Sequence, residues 1–351
     1  MRDILPLARA YGFGSLPEMI ETRASERALH RILQAEALPV GLLQEQQYAI
    51  PLSAMAGLFT RGALLLGDRT FGLEVGEQMG FRGYRDWIAY GGLAPTLGEA
   101  LARNVETCWA HLYGSATELA PRRGHWLWRY RTPELGADFT QHSDHVLPPM
   151  IDYVRQYLGP DWRPDWVELN YPRDHEAHLI EERLNAPVRF SEQGVGIAIK
   201  VQDLNRERLQ ATDSTIVLKA QLQSIFDTIG ISVSSDIERS AAAVAALRLI
   251  DGDVSIEGTA DFLHMSVRGL QRRLKKSGSN YRELVDNLRH ARAEYLLRRT
   301  DMPIIEIAMT LGYEDHSSFT RAFGRWDPLP NEGKSWTSLN GSRRVFYAKW
   351  A

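Results

Sequence analysis

Between Val254 and Trp326 the apolar residues recur at helical spacing in two matching sets. Ile256, Ala260 and Leu263 mark one stripe, and Val267, Leu270 and Leu274 a second. Ile304, Ile307, Ala308 and Leu311, then Phe319, Ala322, Phe323 and Trp326, repeat the arrangement. Residues three and four apart share one face of an α-helix, so each set predicts two short helices joined by a tight turn. The second helix of each pair turns Arg, Lys, Gln, Ser and Thr outward. Arg282 to Arg299 predicts the helix that joins the pairs. Ala241 to Ile250 predicts a scaffold helix ahead of them, stopped by Asp251-Gly252-Asp253. Two helix-turn-helix units in tandem make a DNA-reading device.

The earlier part of the chain has a different rhythm. Ile4, Leu7, Ala8 and Tyr11 space as one helix face before Gly12 and Gly14 break it. Ser25 to Ala37 predicts a second helix, ended by Pro39, and Leu52 to Leu66 a third, with Pro51 at its start and Gly67 after it. A Gly-rich stretch from Gly72 to Gly92, carrying Trp87 and Tyr90, separates these from a helix that opens at Pro95-Thr96, with Thr96 as cap and Glu99 completing a capping box. From Ser115 the pattern shifts to short alternating runs, HWLWRY, DWVELNY, PVRF and GVGIAIKV, which read as strands. VLPPMIDYVRQYLG reads as a helix between the first two. Strands and packed helices with an aromatic-rich interior predict a mixed α/β ligand-sensing domain. The helix Thr215 to Ile229, with Ile216, Leu218, Leu222, Ile225 and Ile229 apolar, suits packing between domains or against a partner subunit in a homodimer.

At 351 residues the chain has room for two domains, each with its own core. The expected fold class is therefore two-domain: an N-terminal mixed α/β ligand-binding domain and a C-terminal all-α domain with two helix-turn-helix units joined by a helix. The net charge of −3 hides a division. From Ser255 onward 16 Lys and Arg stand against 11 Asp and Glu, while 25 stand against 33 before it. A basic C-terminal part on an acidic N-terminal part fits one domain that meets phosphates and another that does not. The single cysteine, Cys108, excludes an internal disulfide and fits a reducing cytosol. No apolar run is long enough for a signal peptide or a membrane span, so a soluble cytoplasmic protein is expected.

Few residues outside the helical pairs carry candidate chemistry. His142 and His145 in HSDH, and His175 and His178 in HEAH, stand three apart beside acids, a spacing that two metal ligands use on a helix. Neither stretch reads as helical, so surface or hydrogen-bonded histidines are expected and no metal or cofactor is called for. Cys108 reads as a small core residue. Arg23, Arg27 and Arg31 stand four apart, which puts them on one helix face where Arg23 and Arg27 become effector-binding candidates. A solvated, salt-bridged face is the plainer account of the same spacing, because Glu21 and Glu26 lie beside them. No nucleophile elbow, phosphate-cradling glycine loop or HExxH is present, so no catalytic residue is assigned and an enzyme is not expected.

SVRGLQRRL, YRELVDNLRHARAEYLLRR and IIEIAMTLGYEDHSSFTRAFGRW together resemble the C-terminal domain of the AraC/XylS family of bacterial transcription regulators. The combination of a helix stripe, a turn Gly and an aromatic-capped second helix at fixed spacing is highly specific. More loosely, LGD-RTFGLEVG, GGLAPTLGEAL and PVRF resemble the ligand-binding domain of the subgroup that includes ornithine-utilisation regulators. The resemblance implies residues 1–200 as an effector-binding domain, 201–233 as a linker helix region, 234–335 as the tandem DNA-binding domain and 336–351 as a divergent tail.

The resemblance also implies how promoter DNA is read. Arg268, Gln271 and Arg272 in the first unit, and His316, Ser317, Thr320 and Arg321 in the second, face bases, Arg being suited to guanine and Gln to adenine. Lys275, Lys276 and Arg325 meet phosphates. A joining helix of about 18 residues spans about 27 Å, near the ~34 Å turn of B-DNA, so one chain can address two successive major grooves. The family's habit is activation through RNA polymerase under control of a small-molecule effector, here unknown. Alternatives are a ligand-independent regulator or repressor, and a regulator whose N-terminal arginines bind a cyclic dinucleotide.

The chain departs from the family pattern in places. His264 takes the turn position where the family commonly has Gly, which implies a left-handed backbone there. Gly258, Gly269 and Gly324 lie inside helices, at a cost of about 1 kcal/mol each relative to Ala. DPLPNEGKSWTSLNGSRRVFYAKWA, after Trp326, lacks the family's usual ending.

Overall fold

The computed structural model describes residues 5–108, 111–132, 136–209, 235–300 and 302–326. They fall into two compact units, one holding residues 5–209 and the other 235–326. The predicted helix at Thr215–Ile229 and the tail beyond Trp326 lie outside the described residues.

The first unit is α/β. A small antiparallel sheet of β1 (Leu7–Arg9), β2 (Ala49–Pro51) and β3 (Leu112–Tyr113) runs in the order β2-β1-β3. The expected helix face at Ile4–Tyr11 is thus overturned: Leu7–Arg9 is a central strand, followed by a 3-10 turn at Ala10–Phe13. Leu7, Ala8 and Arg9 are all buried, and a fully buried strand reads as a continuous run that periodicity alone does not separate from a helix.

A second sheet takes β4 (Ala116–Arg122), β5 (His125–Arg131), β6 (Val167–Glu168), β7 (Val188–Arg189) and β8 (Val195–Lys200) in the order β4-β5-β8-β6-β7. Only β6 with β7 pairs in parallel. On β5 the alternation sends Trp128 and Tyr130 to one face and Arg129 to the other. Arg129 is buried and ion-paired to Glu168 at 2.5 Å and Glu118 at 3.1 Å. A Cβ on Gly194 would press on its side chain and on the Tyr130 carbonyl, which explains the opening glycine of GVG.

The helices of this unit are α1 (Leu16–Arg23), α2 (Glu26–Ala35), α3 (Leu52–Leu66), α4 (Phe71–Met79), α5 (Arg85–Gly92), α6 (Leu97–Thr107), α7 (Thr140–Leu158) and α8 (Ala177–Leu184). Ser25 caps α2 and Thr96 caps α6 through their hydroxyls, as the cap signals predict. The Gly-rich stretch forms helices α4 and α5, elements the sequence pattern left undrawn. Its glycines serve close packing. A Cβ on Gly72 would overlap the Gln141 carbonyl, and one on Gly76 the His145 carbonyl, both on α7. The His145 carbonyl is also the one whose helical donor would have been Pro149, which has no N–H.

Helix α7 begins six residues earlier than VLPPMIDYVRQYLG predicts. His142 and His145 therefore do stand on a helix and are buried; of the surface or hydrogen-bonded histidines expected, His145 is the hydrogen-bonded kind, its Nε2 3.5 Å from the Tyr84 hydroxyl. His175 and His178 are exposed, with α8 starting only at Ala177. Cys108 is a buried core thiol whose pKa burial pushes up to about 11. Among the described residues no helix is long and apolar enough to cross a membrane.

The second unit is all-α: α9 (Asp236–Leu249), α10 (Ile256–Phe262), α11 (Val267–Lys276), α12 (Tyr281–Arg299), α13 (Ile304–Thr310) and α14 (His316–Trp326). Helix α9 starts five residues before the expected Ala241, because Ser235 accepts a bond from the Glu238 N–H and caps it.

Candidate nucleic-acid interface and effector cavity

The two helical pairs of the second unit are built alike. Ser255 caps α10, Ser266 caps α11 and Asn280 caps α12, each accepting from the backbone N–H three residues on. Asp315 does the same for Ser318 at the start of α14. Ala260, Leu270 and Leu274 are fully buried in the first pair, and Ile307, Ala308, Leu311 and Phe319 in the second. Ile256, Leu263 and Val267, expected in the first stripe, are half-buried, as is Trp326.

The turn between each pair requires one left-handed residue. In the first it is His264, with φ 53°, as the sequence implies; in the second it is Gly312, with φ 72°. The same bonds close both turns: Met265 N–H to Ala260 O at 2.9 Å, and Tyr313 N–H to Ala308 O at 3.0 Å. Four residues separate α10 from α11 and five separate α13 from α14.

The joining helix α12 holds both pairs. At its N-terminus the Tyr281 hydroxyl lies 2.7 Å from the buried Thr259 hydroxyl and donates to the Ser255 carbonyl at 3.2 Å. Two turns on, Arg289 donates to the carbonyls of Leu311 at 2.9 Å and Gly312 at 3.1 Å. Its guanidinium lies 4.5 Å over the Tyr313 ring. His290 stacks on Trp326 at 5.5 Å, and Phe319 and Phe323 complete an aromatic core behind α14. The nineteen residues of α12 span about 28 Å at the helical rise.

The outward faces carry the expected groups. Arg268, Gln271, Arg272, Lys275 and Lys276 are exposed on α11, opposite Leu270 and Leu274. Helix α11 carries five cationic residues and no acid. On α14, His316, Ser317, Arg321 and Arg325 are exposed and Thr320 is half-buried, its hydroxyl donating to the His316 carbonyl at 2.8 Å. Arg321 donates to the Ser318 hydroxyl at 3.1 Å, which steadies it at the start of the helix. The three helix glycines differ. A Cβ on Gly258 would overlap the Arg248 guanidinium, one on Gly269 would sit 3.1 Å from the Ser266 hydroxyl, and one on Gly324 would meet nothing within 4 Å.

The effector candidates fare differently. Arg23 ends α1 and Arg27 lies on α2, so the break at Ala24-Ser25 separates residues that the spacing put on one face. Arg23 donates to Glu74 at 2.8 Å and lies 3.6 Å from Asp68, while Arg27 is exposed. Neither is among the residues that line the cavity described next.

Sequence reasoning missed a cavity between the first turns of the chain, α3, α5, the face of β5 and α7. Its wall includes Tyr84, Trp87, His111, Trp128, Tyr130, His142 and His145, with Met55, Ile88, Val146 and Met150 as apolar filler. The cavity is small, about 40 Å³ in volume. Space of that kind takes a few waters, so anything larger enters as side chains turn. Trp87 stacks on His111 at 5.3 Å with rings within 5° of parallel, and Tyr11 also stacks on it, at 5.0 Å and 25°. Burial pulls the His111 pKa down to about 3 and that of His142 to about 4, and holds His145 well below 6.5, so all three are neutral imidazoles. The signals were present in part: the alternation in HWLWRY aims Trp128 and Tyr130 one way, and HSDH places two histidines on one helix face. What joins them is tertiary. Among the described residues no group of His, Cys, Asp and Glu is arranged to hold a metal.

Comparison with known proteins fits both units. The profile of the arabinose-binding domain of AraC transcription regulators, N-terminal, matches residues 27–207, and a helix-turn-helix domain profile matches 259–327. The ornithine utilization regulator of Pseudomonas aeruginosa is 29% identical over 202 residues, covering 56% of this chain and 58% of its own length. The chain thus matches somewhat over half of that relative. The regulator VirS of Mycobacterium tuberculosis is 22% identical over 319 residues, covering 87% of this chain and 90% of its own. The regulator VqsM of P. aeruginosa is 39% identical over 88 residues, 25% of this chain and 26% of its own length. These relatives are transcription regulators, not enzymes.

Proposed function

The chain belongs to the AraC family of DNA-binding transcription regulators, and we propose that it activates a promoter in response to a small molecule held in its N-terminal unit. The observation that carries the DNA-reading half is the pair of capped, exposed helices α11 and α14, each backed by a closed left-handed turn and both tied to α12 by Tyr281 and Arg289. In this reading Arg268, Gln271 and Arg272 contact bases from the first unit, and His316, Ser317, Thr320 and Arg321 from the second. Lys275, Lys276 and Arg325 contact phosphates.

The first helix-turn-helix pair, α10 and α11, carries most of the sequence discrimination. Its helix presents two arginines and a glutamine without neighbouring acids, whereas Thr320 on α14 is half-buried and bonded to its own helix. The second pair, α13 and α14, adds affinity and register. Residues 1–200 form the regulatory domain, 201–233 the linker, 234–335 the DNA-binding domain and 336–351 a divergent tail. Activation runs through RNA polymerase, as is the family's habit.

The cavity walled by Trp87, His111, Trp128 and Tyr130 is the effector site, in place of Arg23 and Arg27. It is concave and largely apolar with a few converging polar groups, the make-up of a small-molecule pocket. Footprinting upstream of the neighbouring operon tests the whole reading. Protection in two successive major grooves on one face of the duplex is expected; protection of a single groove would refute the use of both units.

A further inference from the structure

We propose that the cavity takes an uncharged, planar ring bearing a hydrogen-bond acceptor, a class that follows from its wall and rests on its assignment as the effector site. No Asp, Glu, Lys or Arg is among the side chains that line it. A zwitterionic amino acid, whether of the ornithine kind or another, would have to shed its water here without a counter-charge for either end. With the three histidines neutral, an anion finds no cation either.

The wall does supply polar atoms, and several of them have no partner. Trp128 Nε1 and the Nδ1 atoms of His111 and His142 are buried without a hydrogen bond, while the Tyr130 hydroxyl has Ser115 beside it, Thr117 has Cys108 and the His145 ring has the Gly12 backbone. Trp128, His111 and His142 are each more than nine-tenths buried, so bulk water does not satisfy them. Such atoms are costly to leave unmade, and a cluster of them around one space marks a place where something else completes the bonds. The Trp128 indole nitrogen can only donate, so the occupant must accept. Tyr130 stands two residues along the same strand face, which puts a second donor on the same side of the cavity.

Shape points the same way. Trp87, His111 and Tyr11 already form a stack of near-parallel rings, and Tyr84 meets His111 edge-on at 4.8 Å. A flat ring that enters as side chains turn can join such a stack, because offset stacking and edge contacts are the arrangements aromatic groups prefer. Met55 and Met150 supply flexible walls that adapt to its outline. A pentose would instead set several hydroxyls against a mostly apolar surface.

The full-length protein is titrated, by intrinsic tryptophan fluorescence and thermal shift, with benzamide, coumarin and 2-quinolinone as uncharged planar acceptors. Benzoate, L-ornithine and L-arabinose serve as the anionic, zwitterionic and polyol counterparts. Saturable quenching by at least one of the first three is expected, with none by the others. Affinity for that compound should fall about tenfold in Tyr130→Phe and in Trp128→Phe, each of which removes one hydrogen-bond donor and keeps most of the ring. Tyr130→Phe with an unchanged melting temperature shows that the loss is not misfolding. Binding of ornithine, arabinose or benzoate that Tyr130→Phe weakens would overturn the ligand class and leave the site in place. Planar-ring binding that neither variant alters would overturn the site itself. A response to none of the six compounds counts against the class.

Discussion

His264 and Gly312 hold the same left-handed turn, at φ 53° and 72°, in the two helix-turn-helix units. The two positions carry opposite stability margins. A non-glycine residue in this region costs about 1–2 kcal/mol, so His264→Gly should raise the stability of the second unit by up to about 1 kcal/mol. Gly312→Ala should lower it by about 2 kcal/mol or more, since its Cβ would also overlap the Gly252 carbonyl oxygen. Hydrogen exchange of the α10–α14 amides in the full chain reads both, and a shift of the same sign at the two positions would contradict the equivalence.

Gly324 is the glycine that has no structural reason. Its added Cβ would meet nothing within 4 Å, it is exposed, and it lies inside α14. Gly324→Ala should therefore stabilise the helix by about 1 kcal/mol. Gly258→Ala, which would push into the Arg248 guanidinium, should not. Thermal melts of the two variants side by side give the comparison.

Arg289 ties the second turn to the joining helix through two carbonyls and the Tyr313 ring. Arg289→Met keeps much of the aliphatic stem and removes the bonds. It should cost about 1–2 kcal/mol and loosen the α13–α14 pair first. Footprints of this variant should lose the protection made by α14 while keeping that made by α11; equal loss at both would show that α12 does not hold the units separately.

Acid should destabilise the first unit before it affects the second. The fold keeps His111 and His142 neutral down to pH about 3 and about 4, whereas the unfolded chain protonates them near 6.5. Protons thus favour the unfolded state in this window. The contribution is fully present above pH 6.5 and is lost as pH falls toward 4, by at most about 1.4 kcal/mol per histidine per pH unit. His142→Phe should flatten the fall of melting temperature between pH 6.5 and 4. An unchanged slope would mean that other groups set it.

The sequence made the C-terminal unit legible because its information is local. Ala260, Leu270, Ile307 and Phe319 bury themselves at helical spacing, and the cap residues Ser255, Ser266 and Asn280 stand at the helix starts. The N-terminal unit hid more. Gly72 and Gly76 read as loop until α7 is seen packed against them, and Leu7–Arg9 alternates too little to announce a strand. The cavity draws on residues from Ala8 to Met150, and no spacing along the chain brings His111 to Trp87. The shared helix face expected of Arg23 and Arg27 failed for the converse reason. Their spacing is helical, but the helix ends between them, and Arg23 is already engaged with Glu74 and Asp68.

The division of labour on α11 is the centre of the functional account, and Arg272 and Lys275 decide it. Both are exposed on the same helix, but one is assigned to a base and the other to a phosphate. On a footprinted promoter fragment and a scrambled fragment of equal length, Arg272→Ala should cost about 1–3 kcal/mol on the promoter alone and relax preference at one position. Lys275→Ala should weaken both fragments alike and reduce the salt slope by about 1. Equal loss on the two fragments from Arg272→Ala, or no loss at all, would contradict the placement of α11 as the reading helix.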